Sequence, residues 1–262
     1  MTGAARLSVV VPAYGEEDRI ANTVVALRDA LTVAGPCEII VVDDGSSDAT
    51  SAAAGAAGAD RVIRIPRNRG KGAAVRAGML AATGHNVAFT DADLSYPPGQ
   101  LLRLLHEIDR GADVVVGSRR HIDTQTLVRA GRLREVSGRV FNLATRLVLR
   151  RRYGDTQCGL KAFTAPAGRA LFAAGRLDGF AFDVELLLLA ERSALRVVEV
   201  PVELSSAEGS TVHMSKDALA MVRDLFRLRR WARDGTYDRA GAPGPTAPLE
   251  GTPIGTPDGD AH

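Results

Sequence analysis

The first half of the chain alternates two kinds of apolar pattern. Short strand-like runs, mostly apolar, occur at Leu7–Val11, Glu38–Val42, Arg61–Ile65, Asn86–Thr90 and Ala112–Val116. These read as strands buried on both faces. Between them lie longer stretches with helical spacing. Ile20, Val24, Leu27 and Leu31 mark a helix within Glu16–Val33, and further helices are predicted over Asp48–Ala57, Gly72–Ala82 and Leu101–Arg110. Ser46, Ser47 and Asp48 are cap candidates for the second of these. Strand–helix alternation predicts an α/β fold: a mostly parallel, Rossmann-like sheet with helices on both faces.

The second half changes character. Thr126–Arg152 reads as one or two basic helices, interrupted at Gly138. Asp155–Phe163 reads as a turn into a strand, Asp183–Ala194 as an apolar helix and Arg196–Leu204 as a strand. Lys216–Trp231 is an amphipathic, Arg-rich helix. Beyond Gly235 the chain is mostly Gly, Pro, Thr and Asp, so residues 235–262 are expected to be a disordered tail and 1–234 a single domain.

The loops that follow the early strands carry the candidate chemistry. They are Pro12–Glu17, Asp43–Asp48, Asn68–Gly72 and Asp91–Asp93. Parallel topology brings such loops to one edge, where open α/β sheets bind ligands. Asp91 and Asp93, one residue apart at a strand end, point the same way and repel unless a cation lies between them. A hard divalent ion takes carboxylates together with substrate phosphates. An aromatic at Tyr14, a carboxylate at Asp44, a cation at Lys71 and the acidic pair together suit a nucleoside diphosphate. Each residue alone has a plainer reading as a turn, cap or surface group. Four such loops at successive strand ends favour the shared site.

Composition changes the picture little. Apolar residues make up 45% and charged residues 24%, as in ordinary globular enzymes, and the net charge of +2 predicts no nucleic-acid partner. The charge is uneven, however. Arg119–Arg152 holds ten arginines against Asp123 and Glu135, an excess suited to phosphate or an anionic membrane surface, or to a solvated helix face. Two cysteines, Cys37 and Cys158, form no disulfide framework or metal knuckle, and a reducing cytosol is the expected compartment. Met1–Arg6 lacks the apolar region of a signal peptide, and no transmembrane run is predicted. A membrane would therefore be met at its surface.

The stretches VVVPAYGEEDRI, VVDDGSSDAT, NRGKGAAVRAGML, TDADLSYPP, VVGSRRH, DTQCGLKAF and GFAFDVELLLLA resemble inverting family 2 glycosyltransferases of the GT-A fold. Within that family the chain is most similar to the dolichyl-phosphate (polyprenyl-phosphate) β-glucosyltransferases, and DTQCGLKAF and FAFDVELLLLA narrow the likeness to that branch. The resemblance implies a hexosyl transfer, of glucose from UDP-glucose to a polyprenyl phosphate, with Mg²⁺ or Mn²⁺. It implies a nucleotide-sugar site of Pro12, Ala13, Tyr14, Glu16, Asp44, Gly70, Lys71, Asp91, Ala92 and Asp93, with Asp91 and Asp93 at the metal. Asp91, Asp93, Asp155 and Arg119 are implied at the reacting centre. Arg119, Arg129, Arg132, Arg139, Gln157 and Lys216 are implied at the acceptor phosphate. Residues 6–118 would form the donor half and 119–234 the acceptor half, with the protein peripheral at the inner face of the cell membrane.

Two departures stand out. Gly15 replaces the family's usual Asn, and Glu208-Gly209-Ser210-Thr211 lacks the Lys that relatives carry last: either Lys216 supplies that charge from the next turn or this stretch binds phosphate less tightly. His213 is either an added metal ligand or a loop histidine. Three alternatives stay open: a soluble transferase with a small phosphorylated or carboxylated acceptor, a GDP-mannose-dependent polyprenyl-phosphate mannosyltransferase, and a nucleotide-sugar-binding adaptor without catalysis.

Overall fold

The computed structural model describes residues 5–119, 145, 148–150, 153–204 and 214–238. Arg129, Arg132, Arg139 and His213, the Glu208–Thr211 loop and most of the basic 126–152 segment lie outside the described residues. Among the described residues seven strands form one sheet: β1 (Leu7–Ala13), β2 (Cys37–Asp43), β3 (Arg61–Arg64), β4 (Asn86–Phe89), β5 (Val114–Ser118), β6 (Lys161–Thr164) and β7 (Val197–Pro201). Their order is β3-β2-β1-β4-β6-β5-β7. Five of the early apolar runs become β1 to β5, as the α/β reading requires.

Period-two alternation divides each strand between two faces. Val10, Ile40, Val42 and Phe89 enter one core with α3 (Lys71–Ala81), α5 (Ala165–Ala174), α6 (Phe182–Arg192) and α7 (Met214–Arg233). Leu7, Val9, Val11, Ile39 and Val41 enter the other with α1 (Ile20–Leu31), α2 (Thr50–Ala56) and α4 (Gln100–Asp109). Both faces are thereby covered, which accounts for the mostly apolar runs. The helix within Glu16–Val33 begins later than expected, at Ile20.

One strand departs from the parallel pattern. β6 runs antiparallel to both β4 and β5 and lies between them. Its N-terminal end therefore shares an edge with the C-terminal ends of β1, β2 and β4. The loop entering β6, which contains Asp155–Leu160, reaches the same edge as the loops leaving the parallel strands.

Helix α5 was not anticipated, although Thr164 caps it by accepting from the Ala167 N–H at 3.4 Å and Pro166 occupies its first turn. The described residues also run past the expected boundary at 235. Tyr237 is buried, and its hydroxyl donates to Glu185 Oε1 at 2.5 Å. No helix among the described residues is long and apolar enough to cross a membrane.

Candidate active site

The order of β1 and β4 reverses the direction of strand addition, and a crevice opens at their C-terminal ends. It has a volume of about 440 Å³. All ten residues expected at a nucleotide sugar line it: Pro12, Ala13, Tyr14, Glu16, Asp44, Gly70, Lys71, Asp91, Ala92 and Asp93. Asn68, Ala74, Gly179, Phe180, Ala220, Met221 and Asp224 complete the wall, the last three from α7.

Hydrogen bonds between loops hold this arrangement. The Gly15 N–H donates to Ser46 Oγ at 3.0 Å and the Glu16 N–H to Thr50 Oγ1 at 2.9 Å, joining the first loop to the second. Asp44 accepts from the Arg69 and Gly70 N–H groups at 2.9 and 2.7 Å, joining the second to the third. Gly70 has φ +106°, and a Cβ there would meet the Asp178 carbonyl oxygen at 2.6 Å, so the turn requires glycine. Thr23 Oγ1 donates to the Ala92 carbonyl at 2.6 Å, which pins the acidic turn from α1. Leu94, directly after Asp93, is held at φ 52°, a conformation non-glycine residues rarely keep without a surrounding that enforces it.

The electrostatics follow from burial and neighbours. Lys71 Nζ donates to Asp91 Oδ1 at 2.5 Å. Burial opposes the charge on Lys71, but Asp91 and Asp183 outweigh it and hold its pKa above the usual lysine value. Burial raises the Glu16 carboxyl, and the charges of Asp93, Asp48 and Asp91 add to that rise. Exposed Tyr14 stands at the rim, 53% accessible, as a flat apolar face open to a ligand.

Arg119 and Asp155 stand apart from the residues that line the crevice. Arg119 uses its fork on Asp155, with Nε at 2.5 Å from Oδ2 and a terminal nitrogen at 2.9 Å from Oδ1. Burial would raise the Asp155 carboxyl, and the Arg119 bonds more than offset this, so its pKa lies below the usual aspartate value. Glu199 on β7 supports the pair by accepting from the Gly154 N–H at 3.0 Å. The Gln157 N–H turns back onto Asp155 Oδ1 at 3.1 Å. Lys216 falls in the first turn of α7.

The family model described as Glycosyl transferase family 2 matches residues 8–173. The chain belongs to glycosyltransferase family 2. This glycosyltransferase is 38% identical over 245 residues to a dolichyl-phosphate beta-glucosyltransferase of Drosophila melanogaster, covering 87% of this chain and 74% of that one. It is 33% identical to the Homo sapiens protein of the same name, covering 86% and 75%. Among solved structures it is similar to glucosyl-3-phosphoglycerate synthase from Mycobacterium tuberculosis in complex with Mg²⁺ and uridine-diphosphate. That likeness has a TM-score of 0.64 and 26% identity and covers 88% of this chain and 79% of that one. The GT-A fold expected from the motifs is the fold observed.

The Mg²⁺ of the structural relative bears on the acidic pair. Among the described residues no group of three or more His, Cys, Asp or Glu side chains is arranged to hold a metal. Asp91 and Asp93 line the crevice together. Mg²⁺ commonly takes one or two carboxylates and completes its shell with substrate phosphates and water. The pair therefore fits an ion that arrives with a diphosphate, not a closed protein cage.

Lys161 and Asp183, absent from the residues expected at the site, form a buried ion pair of 2.6 Å. The signal was available. A lysine inside a strand-like run and an aspartate among apolar helix residues must each find a partner when buried.

Proposed function

We propose that this glycosyltransferase moves glucose from UDP-glucose to a polyprenyl phosphate of the dolichyl type, with inversion at the sugar C1 and with Mg²⁺ or Mn²⁺ as cofactor. The observation that carries the reading is the convergence of all ten expected donor-site residues on one crevice. The curated relatives named as dolichyl-phosphate beta-glucosyltransferases support the acceptor. The structural relative bound to Mg²⁺ and uridine-diphosphate supports the donor nucleotide and the ion.

In this reading Tyr14 and Pro12 flank the base, and Asp44 accepts from the uracil N–H. Lys71 lies at the N-terminus of α3, where backbone N–H groups and the helix dipole also favour phosphate. Asp91 and Asp93 would hold the ion, which when bound supplies charge neutralisation for the departing diphosphate. A phosphate monoester has a second pKa near ~6, so the acceptor is already ionised at neutral pH. It needs orientation and charge balance, not a strong base. Arginine suits that task, because its planar fork grips phosphate in two places. Arg119, Arg129, Arg132 and Arg139, with Gln157 and Lys216, are the proposed acceptor contacts, and Asp155 orients Arg119.

The protein would act as a peripheral protein on the inner face of the cell membrane. The outer side of α7 supports this. Phe226 is 65% exposed and Val222 is also exposed, beside largely exposed Arg223, Arg227 and Arg230. Aromatic and basic residues on one helix face suit an anionic headgroup layer.

The test is an extraction assay. Purified protein is incubated with labelled UDP-glucose, Mn²⁺ and a polyprenyl phosphate in detergent, and label is counted in the organic phase. The expected result is label that requires the ion and is lost in Asp93→Ala. UDP release without lipid label would move the acceptor to a soluble phosphorylated compound. Label from GDP-mannose and none from UDP-glucose would overturn the donor assignment.

A further inference from the structure

Lys161 opens β6 and Asp183 lies in the first turn of α6. Both are almost completely buried, at 1% and 4% exposure. Lys161 Nζ donates to Asp183 Oδ1 at 2.6 Å and to the Cys158 carbonyl at 2.7 Å, and it lies 5.5 Å from the centre of the Phe89 ring. A buried ion pair is seldom more stabilising than apolar side chains of the same volume. Stability alone is therefore a weak reason for this pair.

Its second bond points to another role. The Cys158 carbonyl belongs to the peptide that leads into Gly159, and Gly159 is packed directly on Asp91. A Cβ on Gly159 would overlap the Asp91 carboxylate. From the cleft side, Asp91 Oδ1 accepts from Lys71. The Asp91 carboxylate is thus clamped between the backbone at Gly159 and the Lys71 ammonium, and Lys161 fixes the backbone half of the clamp.

We propose that Lys161 and Asp183 are positioning residues that set the orientation of Asp91 through the Cys158–Gly159 peptide, and so tune the affinity of the crevice for a nucleotide-bound divalent ion. The proposal rests on the donor-site reading above. It assigns to the DTQCGLKAF and FAFDVELLLLA stretches a part in the donor site, in addition to any part at the acceptor.

The test is calorimetric titration of Mn²⁺ into the UDP-saturated protein, with UDP binding in the absence of metal measured alongside. Lys161→Met/Asp183→Leu removes both charges, leaves no unpaired ion and keeps the local net charge unchanged. Mn²⁺ binding is expected to weaken by about tenfold or more, as is usual when the support of a metal ligand is lost, while metal-free UDP affinity stays within about twofold. Gly159→Ala, which presses on Asp91 without touching the buried pair, is expected to give the same pattern and decides the matter if the double variant does not fold. Parental Mn²⁺ affinity in a folded variant of either kind overturns the proposal and leaves the donor site intact. Absence of UDP and Mn²⁺ binding in the parent protein overturns the donor-site reading and this proposal with it.

Discussion

Arg119 and Asp155 meet edge to edge, Nε to Oδ2 at 2.5 Å and a terminal nitrogen to Oδ1 at 2.9 Å, although 36 residues separate them in sequence. The carboxylate is buried, and the Arg119 side chain as a whole is 42% exposed. This is an anchor at the surface: Asp155 fixes the plane of the fork from the buried side.

The pair sets an acid limit on stability. The Asp155 carboxyl is held below its usual value, so its contribution is complete above the ordinary aspartate pKa of about 3.9 and fades as pH falls through the depressed folded value. Asp155→Asn should lower the melting temperature at pH 7, and the gap between variant and parent should narrow as pH falls below the ordinary aspartate value. Thermal unfolding at stepped pH checks this. A constant gap across the acid range would count against it.

Lys71 competes with any cation for Asp91. Removing it as Lys71→Met should weaken UDP binding by about 10- to 100-fold, the loss of one charge-assisted contact of ~1.5–3 kcal/mol. Nucleotide-free Mn²⁺ affinity should move the opposite way and increase, because an Asp91 oxygen is released and a positive charge has gone. Paired titrations read both signs, and a fall in both affinities would sink the account.

Tyr237 closes a long-range latch. Glu185 accepts from its hydroxyl and from the Arg176 and Leu177 N–H groups, and so fixes the loop that carries Gly179 and Phe180 to the crevice. Tyr237→Phe should cost about 1–2 kcal/mol, or roughly 2–8 °C in melting temperature for a domain of this size. Truncation after residue 234 should cost more, because the apolar contact of the ring is lost as well. Differential scanning calorimetry of the two variants gives the comparison.

Phe226 is the most exposed aromatic on α7. Phe226→Glu should reduce partition onto anionic vesicles by about tenfold or more, since a fully buried Phe contributes ~1.5–3 kcal/mol and the new charge is repelled. Turnover of a short-chain, water-soluble acceptor should be unchanged. Co-sedimentation with vesicles containing phosphatidylglycerol, against phosphatidylcholine alone, measures the effect. Equal binding by parent and variant would remove α7 from the membrane reading.

The crevice was legible because its parts lie at the ends of strand-like runs. Tyr14, Asp44, Lys71, Asp91 and Asp93 each follow a strand or open a helix, and parallel topology alone sends such positions to one edge. The meeting of Arg119 with Asp155 was not legible. It depends on β6 entering between β4 and β5 in the reverse direction, and no local pattern in Lys161–Thr164 specifies a neighbour. Lys161 and Asp183 were hidden for the same reason, since burial of a charge is visible only once its partner is placed. Tyr237 was overlooked because its surroundings are polar, and one aromatic carries little weight in a compositional reading. Helix α5 carried a usable signal in Thr164 and Pro166 that periodicity alone did not pick out.

The reversed strand also governs the order in which the protein can be made. β5 is complete once Ser118 has been synthesised, but its sheet neighbours are β6 and β7, from residues 161–164 and 197–201. Until they emerge, β4 presents an open edge of unpaired backbone groups, a template for association with other chains. The crevice loops, though encoded early, face an unfinished sheet until β6 and β7 have emerged. The strands before residue 119 therefore do not make a closed sheet by themselves, and the long-range pairing that completes them makes folding slow relative to a locally connected domain. The two halves of the sheet are linked at birth: the strand that joins β4 to β5 is the same one whose entry loop brings Gly159 onto Asp91.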